Sequence, residues 1–189
     1  MKGRILSIEA IHVIQALKRA QRTNPTTLPL RVTTLLPRLL KADLISTFKE
    51  LLRQQQFKIA LVVFSSIKSE YKIELTLYAE LVNALTSKGC FEEVDKLVCE
   101  IVEEGRIDIE DKGLVKFVKA LVEGERREST VKIYGLLKKC GWGEGFEVDE
   151  YVAEVLSKGL RRMGEEKLAD EIDEDVKRLF RNNLAKNVV

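Results

Sequence analysis

Cysteine, proline, histidine and tryptophan are all scarce in this 189-residue chain, with 3, 3, 1 and 1 of them respectively. Each scarcity closes off a class of protein. Cys90, Cys99 and Cys140 are odd in number and never two residues apart, so they make neither a disulfide framework nor a Cys-x-x-Cys knuckle; they point to a reducing compartment. His12 has no cysteine pair at ligand spacing beside it, which leaves no zinc site and no Ser-His-Asp or Cys-His centre. With no Gly-rich phosphate loop after a strand either, we expect no metal, no cofactor and no enzyme. No uncharged apolar run nears the ~20 residues of a membrane span, so no membrane is expected as a partner. The start, MKGRILSIEAI, has no secretory apolar core and no Ser-rich transit stretch, so any transit peptide is expected to be absent from this sequence.

What is present is helical. Apolar residues recur at helical spacing, and no strand-like alternation of useful length occurs. The prolines (Pro25, Pro29, Pro37) all fall between residues 25 and 37, separating an N-terminal helix from the rest. That helix is expected from about Ser7, its N-cap, to Arg22, with Ile8, Ile11 and Leu17 as its buried stripe and His12 on its polar side. The formal net charge of +2 hides an asymmetry. Residues 1–58 contain 11 Lys/Arg against Glu9, Asp43 and Glu50, whereas residues 59–189 contain 21 against 27. Near neutrality therefore does not argue against a polyanion partner.

From residue 42 onward the sequence repeats. Ala60, Val94, Thr130 and Ala169 align at spacings of 34, 36 and 39 residues. Leu51, Leu85, Leu121 and Leu160 precede them by nine, near the end of a first helix. Gly89 and Gly164 sit where that helix should stop. Phe64, Val98 and Tyr134 follow the first three anchors by four, on the same face of a second helix; Asp173 takes that place in the fourth unit, as suits a terminal repeat with a polar outer face. A two-helix period near 35 residues predicts an all-α fold, a right-handed α-solenoid of helix-turn-helix repeats. We expect an N-terminal helical cap over 1–41, four repeats over 42–180 and a C-terminal tail over 181–189.

The unit TLYAELVNALTSKGCFEEVDKLVCEIVEEGRIDIED (76–111) resembles a pentatricopeptide repeat, matching it at Tyr78, Leu81, Val82, Leu85, Gly89, Phe91, Glu92, Glu93 and Val94. The terminal proline of that pattern is missing from every unit. A tetratricopeptide pattern fits less well, because Asn83 and Ile101 stand near its small-residue positions. Together with LLPRLLKADLISTFKELLRQ and EVDEYVAEVLSKGLRRMGEEKLADEI, the four-unit brevity resembles the short plant thylakoid-assembly group of pentatricopeptide proteins. The resemblance implies single-stranded RNA binding in a chloroplast or mitochondrion and a part in group II intron splicing. Other splicing factors and a homodimer on RNA are the further partners it suggests.

First helices line the concave face of such repeats. At spacings i, i+4 and i+8 the stripes are Ile45, Lys49, Arg53; Ala79, Asn83, Ser87; Val115, Lys119, Glu123; and Glu154, Lys158, Arg162, with Arg161 beside the last. The middle row, Lys49, Asn83, Lys119 and Lys158, can track a phosphate backbone. By spacing alone, an ordinary solvated helix face looks the same. The resemblance places the two base-reading side chains of each repeat at Ile45, Ala79 and Val115 and at Glu74, Glu110 and Asp149. The acidic members suit that role, but Ile, Ala and Val cannot offer a hydrogen bond. A protein-binding α-solenoid scaffold, the alternative function, fits those apolar positions better. Trp142, in the Gly-flanked run GWGEG (141–145), can cover a hairpin end, stack on a base for about 1–3 kcal/mol, or anchor a dimer contact. Tyr71 and Tyr151 read as packing residues.

Overall fold

The computed structural model describes residues 6–108, 112–142 and 149–186. The described chain is helical and divides into two compact units, Met1–Ile73 and Glu74–Val189. None of its helices is long and apolar enough to cross a membrane.

The first unit contains α1 (Ile8–Thr23), α2 (Leu28–Leu35), α3 (Lys41–Arg53) and α4 (Phe57–Glu70). The Ser7 hydroxyl accepts from the Ala10 N–H at 3.1 Å and so begins α1 as its N-cap. Ala10, Val13, Ile14, Leu17 and Ala20 form the buried face of α1. Ile8 and Ile11 are exposed, at 69% and 38%, because the face that meets α3 lies nearer Val13 than the expected stripe. Each proline sits in the first turn of its element, where the missing N–H has no helical partner to lose: Pro25 and Pro37 in 3-10 turns, Pro29 in α2. Leu17, Leu36, Leu44, Phe48, Leu51 and Phe64 fill the core, and the Phe48 and Phe64 rings lie 5.5 Å apart. The first repeat hairpin, α3 and α4, therefore shares a core with the N-terminal helices.

The second unit contains three hairpins: α5 (Leu75–Thr86) with α6 (Phe91–Glu104), α7 (Leu114–Glu123) with α8 (Arg127–Lys139), and α9 (Glu150–Arg162) with α10 (Glu166–Lys186). First helices pack side by side, α5 on α7 on α9, and second helices follow with α6 on α8. The last helix runs six residues past position 180, into the expected tail.

All four hairpins, in both units, turn by one device. The carbonyls of Leu51, Leu85, Leu121 and Leu160 accept from the N–H five residues on, at 2.9–3.1 Å. The residue before each donor has positive φ: Gln55 (57°), Gly89 (71°), Glu125 (53°) and Gly164 (84°). This is a Schellman motif, and it explains why the leucine recurs nine residues before each anchor. The four leucines and the anchors Ala60, Val94, Thr130 and Ala169 are all buried. The stack also depends on two close approaches. A Cβ on Gly113 would lie 2.1 Å from the Thr76 backbone nitrogen, and one on Gly159 would lie 2.5 Å from the Val122 side chain.

Candidate nucleic-acid interface

In the second unit the adjacent first helices place Asn83, Lys119 and Lys158 on their outer surfaces, so that each hairpin contributes one exposed member to the row. Each cation already has a carboxylate near it on its own helix. Lys119 lies 3.7 Å from Glu123, and Lys158 bonds Glu154, which holds its ammonium pKa above the ordinary value. Such exposed i,i+4 pairs are screened by water and contribute little, so a phosphate can displace the carboxylate.

The flanking arginines are occupied differently. Arg162 donates to the Val122 carbonyl at 2.9 Å, which ties α9 to the end of α7. Arg161 bonds Asp170 and Asp173 of α10, both at 2.9 Å. Its guanidinium thus joins α9 to α10 instead of extending the row. In the first unit Lys49 is half-buried, and Arg53, though exposed, is held by Glu50 one turn back.

The base-reading positions are filled as follows. Ala79 is buried and presents nothing to a ligand, while Ile45 and Val115 are half-buried. Glu74 is exposed at the start of α5. Asp149 caps α9: its carboxylate accepts from the Tyr151 N–H at 2.9 Å and the Val152 N–H at 3.2 Å. Glu110 lies outside the described residues. Trp142 is fully buried, edge-on to Tyr134 at 5.7 Å. That packing leaves the indole with no exposed surface. Tyr151, expected to pack, is 48% exposed because it lies in the first turn of α9, next to the cap. Tyr71 receives Lys41 over its ring at 5.2 Å.

Sequence spacing does not reveal the polar ties between second helices. Asp95 of α6 accepts from Arg126, whose Nε is 3.3 Å away, and from the Ser129 hydroxyl at 2.7 Å on α8. Burial pushes the Asp95 carboxyl up, but these hydrogen bonds and the charges of Arg126 and Lys132 outweigh it, and its pKa is lowered. Lys138 of α8 reaches Asp175 at 2.7 Å and Glu171 at 3.3 Å on α10. Asp175 is buried, and it also accepts from Arg178 at 2.6 Å. Burial and the two acidic neighbours raise the Tyr134 hydroxyl well above its usual range. Cys99, half-buried, has the Lys132 Nζ at 3.3 Å. Among the described residues no group of three or more His, Cys, Asp or Glu is placed to hold a metal.

Stacked helical hairpins carrying a polar, partly cationic row on their first helices define an α-helical repeat protein of the binding type. No protein-family model matches the chain. A curated protein does: the chain is 52% identical over 176 residues to Protein THYLAKOID ASSEMBLY 8, chloroplastic, of Arabidopsis thaliana, covering 91% of this chain and 77% of that protein. Among solved structures, THA8 in complex with Zm4 RNA superposes with a TM-score of 0.78 at 29% identity, over 93% of this chain and 96% of that one. The chain belongs to the THYLAKOID ASSEMBLY 8 family, pentatricopeptide-type proteins with an all-α solenoid fold.

Proposed function

We propose that this protein binds single-stranded RNA without enzymatic activity and assists RNA processing in the chloroplast, specifically group II intron splicing. One observation carries the reading. The exposed Asn83, Lys119, Lys158 row recurs once per hairpin in a chain that shares its fold and 29% of its sequence with a protein crystallised with RNA. The chloroplast location agrees with the chloroplastic Arabidopsis relative. Mechanistically, the ammonium groups leave their carboxylates for phosphates, and the bound strand is kept from mispairing. Because Ile45, Ala79 and Val115 are apolar and the Asp149 carboxylate is held as a helix cap, backbone contacts outweigh base reading, and sequence preference is weak.

Anisotropy with a labelled single-stranded oligoribonucleotide across a salt series tests this. Affinity should fall with a log–log slope of about −0.7 per phosphate neutralised. A flat salt dependence, or unchanged binding in the Lys49→Ala, Lys119→Ala, Lys158→Ala triple variant, counts against the reading. Crosslinking in chloroplasts followed by sequencing of the attached RNA tests the intron assignment, which is lost if the reads avoid introns. The half-buried apolar Ile45 and Val115 favour a second reading, a protein-binding scaffold; recovery of a stoichiometric protein partner after nuclease treatment would support it.

A further inference from the structure

The proposed row leaves unused the most basic part of the chain. Residues 1–42 contain 8 Lys/Arg and a single carboxylate, Glu9. In the first unit, Gln15, Arg19 and Thr23 follow one another along α1 at i, i+4 and i+8, a polar ridge that borders two hollows of about 610 and 470 Å³. Arg31 of α2 lines the larger hollow, and Arg22 with Lys18 lines the smaller. No carboxylate lines either one. Lys18 is tied to the Gln54 amide oxygen at 2.7 Å. Arg19, Arg22 and Arg31 are exposed and make no ion pair among the described residues. In this they differ from Lys119 and Lys158, each of which has a glutamate close by.

We infer that the α1–α2 groove is a second contact for single-stranded RNA, in which Arg19, Arg22 and Arg31 hold phosphates, Gln15 donates to phosphate or sugar oxygens, and the Thr23 hydroxyl, which donates to the Arg19 carbonyl at 3.0 Å, accepts from a ribose hydroxyl. The inference rests on the RNA-binding reading above and adds a site outside the repeats. Three features favour a nucleic-acid backbone as occupant. Guanidinium groups stand on both sides of one ridge, so that a continuous polyanion can meet them in succession. Amide and hydroxyl groups lie between them, matching the mixed phosphate and sugar groups of a strand. The apolar stripe of α1 from Ala10 to Ala20 is packed into the core, so only Ile8 and Ile11 remain on that helix for a membrane to take up.

The test compares the full-length protein with R19Q/R22Q/R31Q and R19K/R22K/R31K variants, using labelled single-stranded oligouridine over a salt series. All three arginines are exposed, and circular dichroism should show the same melting for each protein. We expect the glutamine variant to bind roughly ten- to hundredfold more weakly near ~0.1 M salt, with a slope shallower by about 2. The lysine variant should keep the slope. If wild-type protein binds and the glutamine variant matches it in affinity and slope, while Lys119→Ala with Lys158→Ala weakens binding, this site is overturned and the repeat interface stands. If wild-type protein binds no single-stranded RNA at any salt, both readings fall. A parallel arm uses phosphatidylserine vesicles: loss of vesicle binding in the glutamine variant with RNA affinity intact makes the groove a membrane-surface site and overturns the inference.

Discussion

At the turn of each hairpin, four residues in equivalent places meet the same left-handed backbone, and only two of them are glycine. Gly89 and Gly164 adopt positive φ without a Cβ penalty; Gln55 and Glu125 do so at a cost of about 1–2 kcal/mol. Gln55→Gly and Glu125→Gly should therefore each stabilise the protein by roughly 1 kcal/mol, read as a higher denaturation midpoint at unchanged slope. Gly89→Ala should lower the midpoint. The two glycines are recognisable as helix stops in the sequence, but Gln55 and Glu125 are not, because nothing local marks an L residue for this conformation. Their place emerges only from the shared distance to Leu51 and Leu121, whose carbonyls the turns satisfy. Trp142 differs: in the sequence its Gly-flanked run leaves covering a hairpin end, base stacking and a dimer contact all open, and the indole is buried against Tyr134. Its emission should be blue-shifted, resist iodide quenching and stay unchanged when RNA is added; quenching by bound RNA would mean the ring is within reach of a base.

Among elements, the stacking of first helices depends on side chains that periodicity does not flag. Hydrophobic spacing predicts that α5, α7 and α9 exist and which faces they bury, because it follows from the helical repeat alone. How closely they approach is decided by partners more than thirty residues away. Gly159 faces Val122 with no room for a methyl group, so Gly159→Ala should cost about 1–3 kcal/mol by overpacking. Val122→Ala in the same protein should recover part of the loss, and a double-mutant cycle on denaturation midpoints checks this coupling. Second helices are joined by polar groups, and here pH is the probe. The Asp95 carboxyl sits below its ordinary value of 3.8 because Arg126 and Ser129 hold it. A depressed folded-state pKa gives stability that is complete above the unfolded value and is lost as pH falls through the folded one. Asp95→Asn should thus destabilise near neutral pH, by no more than about 1 kcal/mol for a pair this exposed, and the gap to wild type should close as pH falls through the lowered folded-state pKa. Equal destabilisation at neutral and acid pH would show that shape, not charge, is what Asp95 supplies.

Across the whole chain, charge is partitioned between the units. Residues 1–73 contain 13 Lys/Arg against 4 Asp/Glu, and residues 74–189 contain 19 against 26. The proposed cationic row in the second unit therefore lies in a field of the wrong sign for RNA, with Glu123 and Glu154 nearest to Lys119 and Lys158. Two consequences follow if that row contacts phosphates. Binding must first displace a carboxylate from each lysine, which costs little at an exposed pair but leaves that negative charge beside the incoming phosphate. Removing the two charges while keeping side-chain size should accordingly strengthen binding. Each like-charge neighbour within a Debye length of about 8–10 Å acts against the phosphate, and the effect fades as salt screens it. The Glu123→Gln, Glu154→Gln double variant should bind single-stranded RNA several-fold more tightly at low salt and converge on wild type at high salt. Anisotropy titrations across the same salt series read this directly. An unchanged affinity at low salt would place the strand away from α7 and α9, and the basic first unit would then be the main RNA contact.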